Sequence, residues 1–143
     1  MFKVGAFATI FNDKKEVLLC HRRDYDLWNL PGGKVEKEES PWEGVIREIK
    51  EETGLAAKID RITGIYYKPE KDEIVFNFLC SITSGEITLN DEADEIKFFV
   101  FDDIPENFSQ KQKERIADVL ENKKEVIFGT QVGPGSIDLI NKK

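Results

Sequence analysis

The chain has 143 residues, of which 40% are hydrophobic, and a formal net charge of −7 at pH 7. This length predicts a single domain over residues 1–143 with enough apolar residues for a real core. The negative charge excludes a broad nucleic-acid-binding surface, which needs clustered lysine and arginine. It does not exclude a small phosphate-bearing ligand, because a divalent cation can supply positive charge locally.

The apolar runs and the two cysteines predict where the protein is located. No apolar run reaches the ~20 residues of a membrane span, and no signal-peptide pattern opens the sequence. Cys20 and Cys80 both lie in apolar, strand-like runs, so buried free thiols are expected. Free thiols fit a reducing cytoplasm, and the lack of an apolar span predicts no contact with a membrane.

The first third of the chain is predicted to form a hairpin followed by a loop. Alternating apolar residues predict a strand over Val4–Phe11, and polar residues predict a turn over Asn12–Lys15. A returning strand is then expected over Val17–Cys20. Residues Leu27–Lys34 contain Pro31-Gly32-Gly33 and are expected to be a loop.

A helix is predicted over about residues 40–53. Ser40 suits the N-cap, Pro41 suits the first helical position, and Glu43 completes a capping box. Gly54 suits the C-terminal end of this helix. Its apolar side chains recur with the helical period and predict one buried stripe, formed by Trp42, Val45, Ile46 and Ile49.

The rest of the chain is predicted to contain more strands and a second helix. The predicted strands are Ile59–Tyr67, Ile74–Ile82, Ile87–Leu89 and Ile96–Phe101, with turns over Thr83–Glu86 and Asp102–Pro105. The second helix is predicted over Gln110–Glu121, with Ile116, Val119 and Leu120 facing inward. Residues Val126–Lys143 contain Gly133-Pro134-Gly135 and have no clear pattern. Strands alternating with helices in this way indicate an α+β fold, with a mixed sheet between helices.

Glu48, Glu51 and Glu52 share one face of the first helix, beside its apolar stripe. Like charges at this spacing destabilise a helix, and the macrodipole disfavours anions in its C-terminal half. A solvated acidic face is the ordinary interpretation, but bound Mg²⁺ or Mn²⁺ would remove both penalties. Gly44 lies one turn earlier on this face, where it is expected to leave open space. Metal binding is therefore the favoured interpretation.

The spacing of the fixed positions resembles the Nudix box. These positions are Gly33, Glu39, Arg47-Glu48-Ile49, Glu51-Glu52 and Gly54-Leu55. The chain is therefore similar to MutT-like Nudix hydrolases from about residue 3 to 121, which implies an α/β/α sandwich around a curved mixed sheet. The family cleaves a nucleoside diphosphate linked to another moiety with the help of Mg²⁺.

The resemblance implies roles for the box residues. The metal ligands would be the carboxylates of Glu48, Glu51 and Glu52 and the carbonyl group of Gly32. Arg47 and Glu39 would form a structural ion pair that fixes the loop to the helix. An Arg47–Glu51 pair, four residues apart on the helix, is the alternative.

The general base is less specified by the family. Some members use a box glutamate, here Glu48 or Glu52, and others use a glutamate on a loop before the last strand. In this chain that loop is Asn90–Glu95, where Glu92 matches best and Glu95 is second. Glu92 is accordingly expected to be both a metal ligand and a candidate base, with solvated loop charges as the alternative for both residues.

Six residues outside the box are candidates for substrate binding. Arg22 and Arg23 end the predicted hairpin, where a guanidinium can grip phosphate in two places. Lys34 follows the glycine pair and could contact a phosphate. The aromatic candidates for stacking on a base are Tyr25, Trp28 and Phe108, although Trp28 is expected to be partly core. His21, the only histidine, is not expected to act in catalysis.

The substrate is less determined than the family. ADP-ribose or another nucleotide sugar is slightly preferred because Pro69 lies close to the position where ADP-ribose enzymes of the family carry proline. The tyrosine typical of dinucleoside polyphosphate enzymes is replaced by Asp72. An (oxidised) nucleoside triphosphate is the alternative substrate, and a non-catalytic nucleotide sensor is the alternative function. The sequence leaves open whether the chain forms a homodimer through a strand edge or through Gly133–Gly135.

Overall fold

The computed structural model of the chain describes residues 1–122, 124–135 and 137–138. Its regular elements in chain order are β1 Lys3–Ile10, β2 Val17–Arg22, β3 Trp28–Asn29, β4 Gly32–Lys34, α1 Pro41–Thr53, β5 Leu55–Lys68, β6 Glu73–Gly85, β7 Ala93–Phe99, α2 Gln110–Glu121 and β8 Ile127–Thr130. A single turn of 3-10 helix, Pro69–Lys71, joins β5 to β6, and another follows β7. None of the described helices is both long and apolar enough to cross a membrane.

The strands form two sheets. The larger sheet has the order β4-β1-β6-β5-β8, in which β1 pairs parallel with β6 and β5 pairs antiparallel with β6. The smaller, antiparallel sheet has the order β3-β2-β7. One core contains buried residues of α1, and the other contains those of α2. The predicted α+β class, with mixed curved sheets and two helices, is confirmed.

The predicted hairpin between the first two strands is wrong. β1 and β2 meet only at an isolated bridge between Phe11 and Val17 and then enter different sheets. The reason is that β2 pairs with β7 along its whole length and, at Cys20 and His21 on its other edge, with β3. Leu18 and Cys20 enter the core under α1, whereas Val17 and Leu19 enter the core under α2. The side chains of β2 therefore enter both cores, while its backbone hydrogen bonds join it to the smaller sheet rather than to β1.

Helix α1 has the predicted ends. The Ser40 hydroxyl accepts a hydrogen bond from the Glu43 N–H at 3.1 Å, and the Glu43 carboxylate accepts one from the Ser40 N–H at 3.0 Å. Pro41 opens the helix, and Gly54 ends it with a φ of 82°. These local signals hold α1 in register, which fixes the positions of the glutamates along it.

Two residues expected to face the core are exposed instead. Trp42 in α1 is 59% exposed, although Val45 and Ile49 of the same predicted stripe are fully buried. In α2, Leu120 is 37% exposed, whereas Ile116 is fully buried. Trp42 and Leu120 both lie in a terminal turn, where less of the protein surrounds the helix. The helical period therefore gives the buried direction correctly but not how far the buried stripe extends.

The predicted turn over Thr83–Glu86 and strand over Ile87–Leu89 are also wrong. β6 continues to Gly85, whose neighbour Ser84 pairs with Ala56 of β5. The chain leaves the sheet at Gly85, which has a φ of 92°. The following residues are exposed and irregular, because the Thr88 N–H bonds the carbonyl group of Thr53 rather than a strand.

Two segments expected to be irregular contain strands. The predicted loop Leu27–Lys34 includes β3 and β4, and the tail that had no clear pattern supplies β8, which extends the larger sheet beside β5. Residues 136 and 139–143 of that tail lie outside the described residues. Cys20 and Cys80 are free, buried thiols, as expected.

The core under α2 contains a buried arginine that the sequence did not mark. Arg115 is 2% exposed, and its guanidinium lies between the rings of Phe7 and Tyr66, at 5.4 and 5.5 Å from their centroids. Its Nε and Nη2 donate hydrogen bonds to Oε1 of Gln131 at 3.1 and 3.0 Å. Burial lowers the pKa of Arg115 to about 10. The residue therefore ties α2 to the segment that follows β8.

Arg47 fixes the loop before α1 to the helix. Its Nε and Nη2 donate hydrogen bonds to both carboxylate oxygens of Glu39, at 2.7 and 3.0 Å. Gly44 makes room for this pair, because a Cβ there would lie 2.9 Å from a Glu39 oxygen and 3.6 Å from Val35. Open space at Gly44 beside Glu48, Glu51 and Glu52 was thus a wrong expectation. The glycine accommodates the loop, not the acidic face.

A matched pair of substitutions in α2 tests the corrected burial of this helix. Ile116→Ala is expected to lower the free energy of unfolding by about 3 kcal/mol, because it leaves a cavity in the core. Leu120→Ala is expected to cost about 1 kcal/mol, because much of its side chain already contacts water. Urea denaturation of the two variants measures the difference. Equal losses would show that Leu120 is buried as the periodicity suggested.

The pairing of Glu39 with Arg47 is expected to make stability depend on pH. Hydrogen bonds from Arg47 and from the Glu36 N–H lower the pKa of Glu39 from 4.5 to about 2. Because the folded state binds this proton more weakly, Glu39 stabilises the fold above about pH 5 and loses that effect as the pH falls towards 2. The loss of unfolding free energy caused by Glu39→Gln, measured by urea titration against the unsubstituted chain, should therefore shrink as the pH falls over this range. Glu38→Gln, at an exposed neighbour, is the control, and a deficit of Glu39→Gln that did not change with pH would contradict the account.

Candidate functional site

A cleft with a volume of about 700 Å³ crosses the molecule from the end of β2 to the turn between β5 and β6. This volume lies in the range of sites that bind small molecules. Residues from both sheets, the end of α1 and one side of α2 line it. Most of the candidate site residues lie in or beside this cleft.

Three glutamates converge at one end of the cleft. A carboxylate oxygen from each of Glu48, Glu52 and Glu92 lies within 4.8 Å of the other two, and we call these three residues the acid cluster. Glu48 and Glu52 are one turn apart on α1, and Glu92 lies in the loop before β7. Oxygen donors of this kind are the ligands that Mg²⁺ and Mn²⁺ prefer. The residues present therefore fit a divalent cation.

The energetics of the acid cluster also favour a cation. The pKa of Glu52 is raised to about 9, mainly by burial and in addition by the nearby Glu48 and Glu92. A hydrogen bond of 2.8 Å from the Gly32 N–H to Glu52 opposes this only in part. Burial also raises the pKa of Glu48, against the opposing effect of Arg47. Three carboxylates can all be ionised here at low cost only when a positive charge joins them.

Glu51 lies outside the acid cluster. Its carboxylate accepts a hydrogen bond of 3.0 Å from Nη1 of Arg47, and the same nitrogen donates to Glu48 at 3.1 Å. The two pairings considered for Arg47, with Glu39 or with Glu51, therefore occur together. Because Glu51 is half exposed and already paired, the structure does not bring it to the predicted metal ligands.

The glycine pair before α1 allows the backbone to approach the acid cluster. Gly32 has a φ of 147°, and a Cβ there would collide with the backbone of Ala6 and Phe7. A Cβ on Gly33 would lie 3.1 Å from a carboxylate oxygen of Glu48. Gly32 therefore excludes a side chain, whereas a side chain at Gly33 would displace the Glu48 carboxylate. The glycine pair keeps the strand β4 close enough for its N–H to reach Glu52.

Asn90 is a site residue that the sequence analysis missed. Its Oδ1 accepts hydrogen bonds from the N–H groups of Glu92 and Ala93 at 2.8 and 2.9 Å. Its Nδ2 donates to the carbonyl group of Glu52. The amide thus ties the loop that carries Glu92 to the end of α1. An asparagine whose side chain bonds the backbone N–H two residues later is a common turn former, but the bond of Asn90 to α1 depends on tertiary structure.

Of the three basic candidates for substrate binding, Arg22 and Arg23 line the cleft, whereas Lys34 does not. Arg22 donates to both carboxylate oxygens of Asp24, at 2.7 and 2.6 Å, so it is already paired. Nε of Arg23 donates to the carbonyl group of Asn90 at 2.7 Å. The Lys34 side chain is exposed, and no part of it is among the cleft-lining groups.

The aromatic candidates do not offer a stacking surface in the cleft. Trp28 and Phe108 are only 7% and 8% exposed and belong to the core under α2. The Trp28 ring meets the edges of Phe99 and His21, at centroid distances of 4.9 and 5.1 Å. Tyr25 lies under the Arg22 guanidinium, 5.1 Å from its ring centroid. The structure gives Trp28 and Phe108 a packing role, because burial leaves no face open to a ligand.

His21 and Glu95 lie beside the site without joining the acid cluster. The two ring nitrogens of His21 lie 2.7 Å from carboxylate oxygens of Asp94 and Asp26. Burial lowers the pKa of His21, but these hydrogen bonds outweigh it and raise the pKa overall. Glu95 is exposed on β7 and pairs with His21 only through the backbone. Of the two loop glutamates considered, only Glu92 reaches the acid cluster.

Comparison with known proteins agrees with this geometry. A Methanocaldococcus jannaschii ADP-ribose pyrophosphatase is 36% identical over 103 residues, which are 67% of this chain and 61% of the relative. A Bacillus subtilis protein, provisionally named an 8-oxo-dGTP diphosphatase, is 41% identical over 60% of this chain and 58% of its own length. Both matches thus cover less than two thirds of the relative.

A solved structure extends the similarity over most of the fold. The crystal structure of an ADP-ribose pyrophosphatase from Streptococcus suis matches 90% of this chain and 99% of its own, at 28% identity and a TM-score of 0.77. The family model of the NUDIX domain matches residues 1–119, which include the acid cluster and its loop. The chain therefore belongs to the Nudix family.

Proposed function

We propose that the chain is a single-domain, Mg²⁺-dependent pyrophosphohydrolase that cleaves a nucleoside diphosphate linked to another moiety. The observation that carries this proposal is the convergence of Glu48, Glu52 and Glu92 at the wall of a nucleotide-sized cleft. Membership of the Nudix family supports the same reaction class. A non-catalytic sensor would have no need for a complete acid cluster whose charge is costly without a cation.

A bound divalent cation would neutralise charge on the diphosphate and acidify a water molecule near neutral pH. Glu48 and Glu52 would hold such cations on the rigid helix α1, with the Gly32 carbonyl as a further candidate ligand. Glu51 would join them only by leaving Arg47. Mn²⁺ would substitute for Mg²⁺, because both prefer oxygen ligands.

Glu92 would have a second role. It is the most exposed residue of the acid cluster, so its carboxylate is the one that solvent reaches most easily. We therefore assign Glu92 the role of general base, in which a carboxylate oxygen would accept a proton from the attacking water. Arg22 and Arg23 would bind phosphate oxygens at the same end of the cleft, and Arg22 would exchange Asp24 for the substrate.

ADP-ribose or another nucleotide sugar is the preferred substrate. The names of the M. jannaschii relative and of the S. suis structure support it. Pro69, which gave the sequence its slight preference, begins the turn between β5 and β6. Lys68, just before this turn, and Lys71, at its end, line the cleft. An (oxidised) nucleoside triphosphate is the second candidate, supported by the name of the B. subtilis relative.

Single substitutions of the glutamates test how much each one contributes to turnover. Glu52→Gln is expected to lower kcat by at least about a hundredfold, because it removes a buried metal ligand worth several kcal/mol in the transition state. Glu92→Gln is expected to cost less, and Glu95→Gln least, because Glu95 is outside the cluster. Steady-state rates at saturating Mg²⁺ measure the series. Unchanged turnover by Glu52→Gln would remove Glu52 from the site.

The reaction and substrate are tested by product analysis. The unsubstituted chain is incubated with Mg²⁺ and a panel of ADP-ribose, nucleotide sugars and nucleoside triphosphates. Release of AMP and ribose 5-phosphate from ADP-ribose is expected, to be lost on chelation of the metal and restored by Mg²⁺ or Mn²⁺. Pyrophosphate release from a triphosphate as the fastest reaction would favour the second candidate. No product from any member of the panel would favour a nucleotide sensor.

A further inference from the structure

The end of the cleft away from the acid cluster is strongly basic. Its lining cations are Lys68, Lys71, Lys111 and Arg115, which we call the basic end. Among the described residues that line this part of the cleft, Glu73 is the only acid. This concentration is unusual in a chain with a net charge of −7. The cleft therefore carries negative charge at one end and positive charge at the other.

The buried member of the basic end has an unused donor. Arg115 lines the cleft, yet it is 2% exposed, and its Nη1 has no hydrogen-bond partner among the described residues. Its other donors are directed to Gln131. A buried donor without a partner is destabilising, and more so when it is part of a charged group. The position therefore favours a ligand that accepts hydrogen bonds from a guanidinium.

The lysines of the basic end repel one another. Burial lowers the pKa of Lys111, and repulsion by Lys68, Lys71 and Arg115 lowers it further, although the nearby Glu70 opposes this effect. Lys68 is paired with Glu73 at 3.1 Å, whereas Lys71 has no ion pair among the described residues. This crowding of like charges would be relieved by an anion.

Two further acids near the basic end are engaged elsewhere. Glu70 accepts a hydrogen bond from the Gly133 N–H at 3.1 Å, and Glu114 accepts one from Gln131 at 3.3 Å. Neither forms an ion pair with a cation of the basic end within 4.0 Å among the described residues. The positive charge that faces the cleft is thus only partly neutralised from within the protein.

We infer that the basic end binds a second phosphate group, distinct from the diphosphate that lies at the acid cluster. This inference rests on the proposed function, which places the scissile diphosphate at the acid cluster. A neutral base or ribose would leave the charge of Lys71 and the Nη1 donor of Arg115 uncompensated. A phosphate monoester carries up to two charges and accepts several charge-assisted hydrogen bonds. Among nucleotide sugars, one that carries a phosphate on its nucleoside in addition to the diphosphate is therefore expected to bind more tightly than ADP-ribose itself.

Direct binding tests this inference without any hydrolysis. The probes are AMP, adenosine 2′,5′-bisphosphate and adenosine 3′,5′-bisphosphate, titrated calorimetrically into the full chain with Mg²⁺ present. At least one bisphosphate is expected to bind about tenfold more tightly than AMP, as charged hydrogen bonds to one added phosphate would produce. An advantage below about twofold for both bisphosphates would overturn the inference.

Variants locate the effect at the basic end. The double variant Lys71→Gln, Lys111→Gln is expected to abolish the advantage of the bisphosphate and to leave AMP binding within about twofold. These lysines are chosen because replacing the buried Arg115 would disrupt the core. Lys113→Gln is the matched control, because Lys113 is on α2 but lies over the Phe101 ring at 5.5 Å, outside the cleft. An advantage that survives in the double variant, or an equal loss for AMP and bisphosphate, would also overturn the inference.

The binding and product assays can fail separately. If the substrate panel yields no product while the bisphosphate advantage is present and depends on the lysines, the proposed reaction is wrong and the phosphate site stands. If ADP-ribose is hydrolysed and both bisphosphates bind no better than AMP, the reaction stands and the second phosphate site is wrong.

Discussion

Carboxylates that are held close together and partly out of water are costly unless a positive charge accompanies them. The acid cluster imposes this cost on the fold, and several independent contacts keep its members in place. The capping box fixes the register of α1, Arg47 anchors the helix to the preceding loop, and Asn90 joins the loop of Glu92 to the helix end. The metal site is therefore built by restraining groups that would otherwise separate.

The sequence predicted best what depends on neighbouring residues along the chain. The limits of α1, its caps and the shared face of Glu48 and Glu52 follow from helical geometry alone, and each was found as expected. The spacing could not show that Glu51 pairs with Arg47, because an Arg47–Glu39 pair and an Arg47–Glu51 pair are both compatible with the same helix. Site residues outside α1 depended on a resemblance, and only Glu92 could be placed at the acid cluster.

The errors came from contacts between distant segments. Trp28 was a candidate for stacking on a base, but its backbone bridge to Phe108 places both residues in the core. Arg115 has an ordinary position in an amphipathic helix, and nothing in its local sequence indicates that a tail segment will bury it against Gln131. Net charge is equally uninformative here. A total of −7 conceals a cleft that is acidic at one end and basic at the other.

Because β2 is buried on both faces, its register determines both the packing of the two cores and the positions of its cleft-lining residues. Alternate residues of this strand enter different cores, so a shift by one residue would send every side chain to the wrong layer. The same shift would move His21 and Arg22, at the end of the strand, away from the cleft wall. An insertion or deletion within β2 would thus damage both layers and the binding surface at once, whereas the turn before it can change length without that penalty.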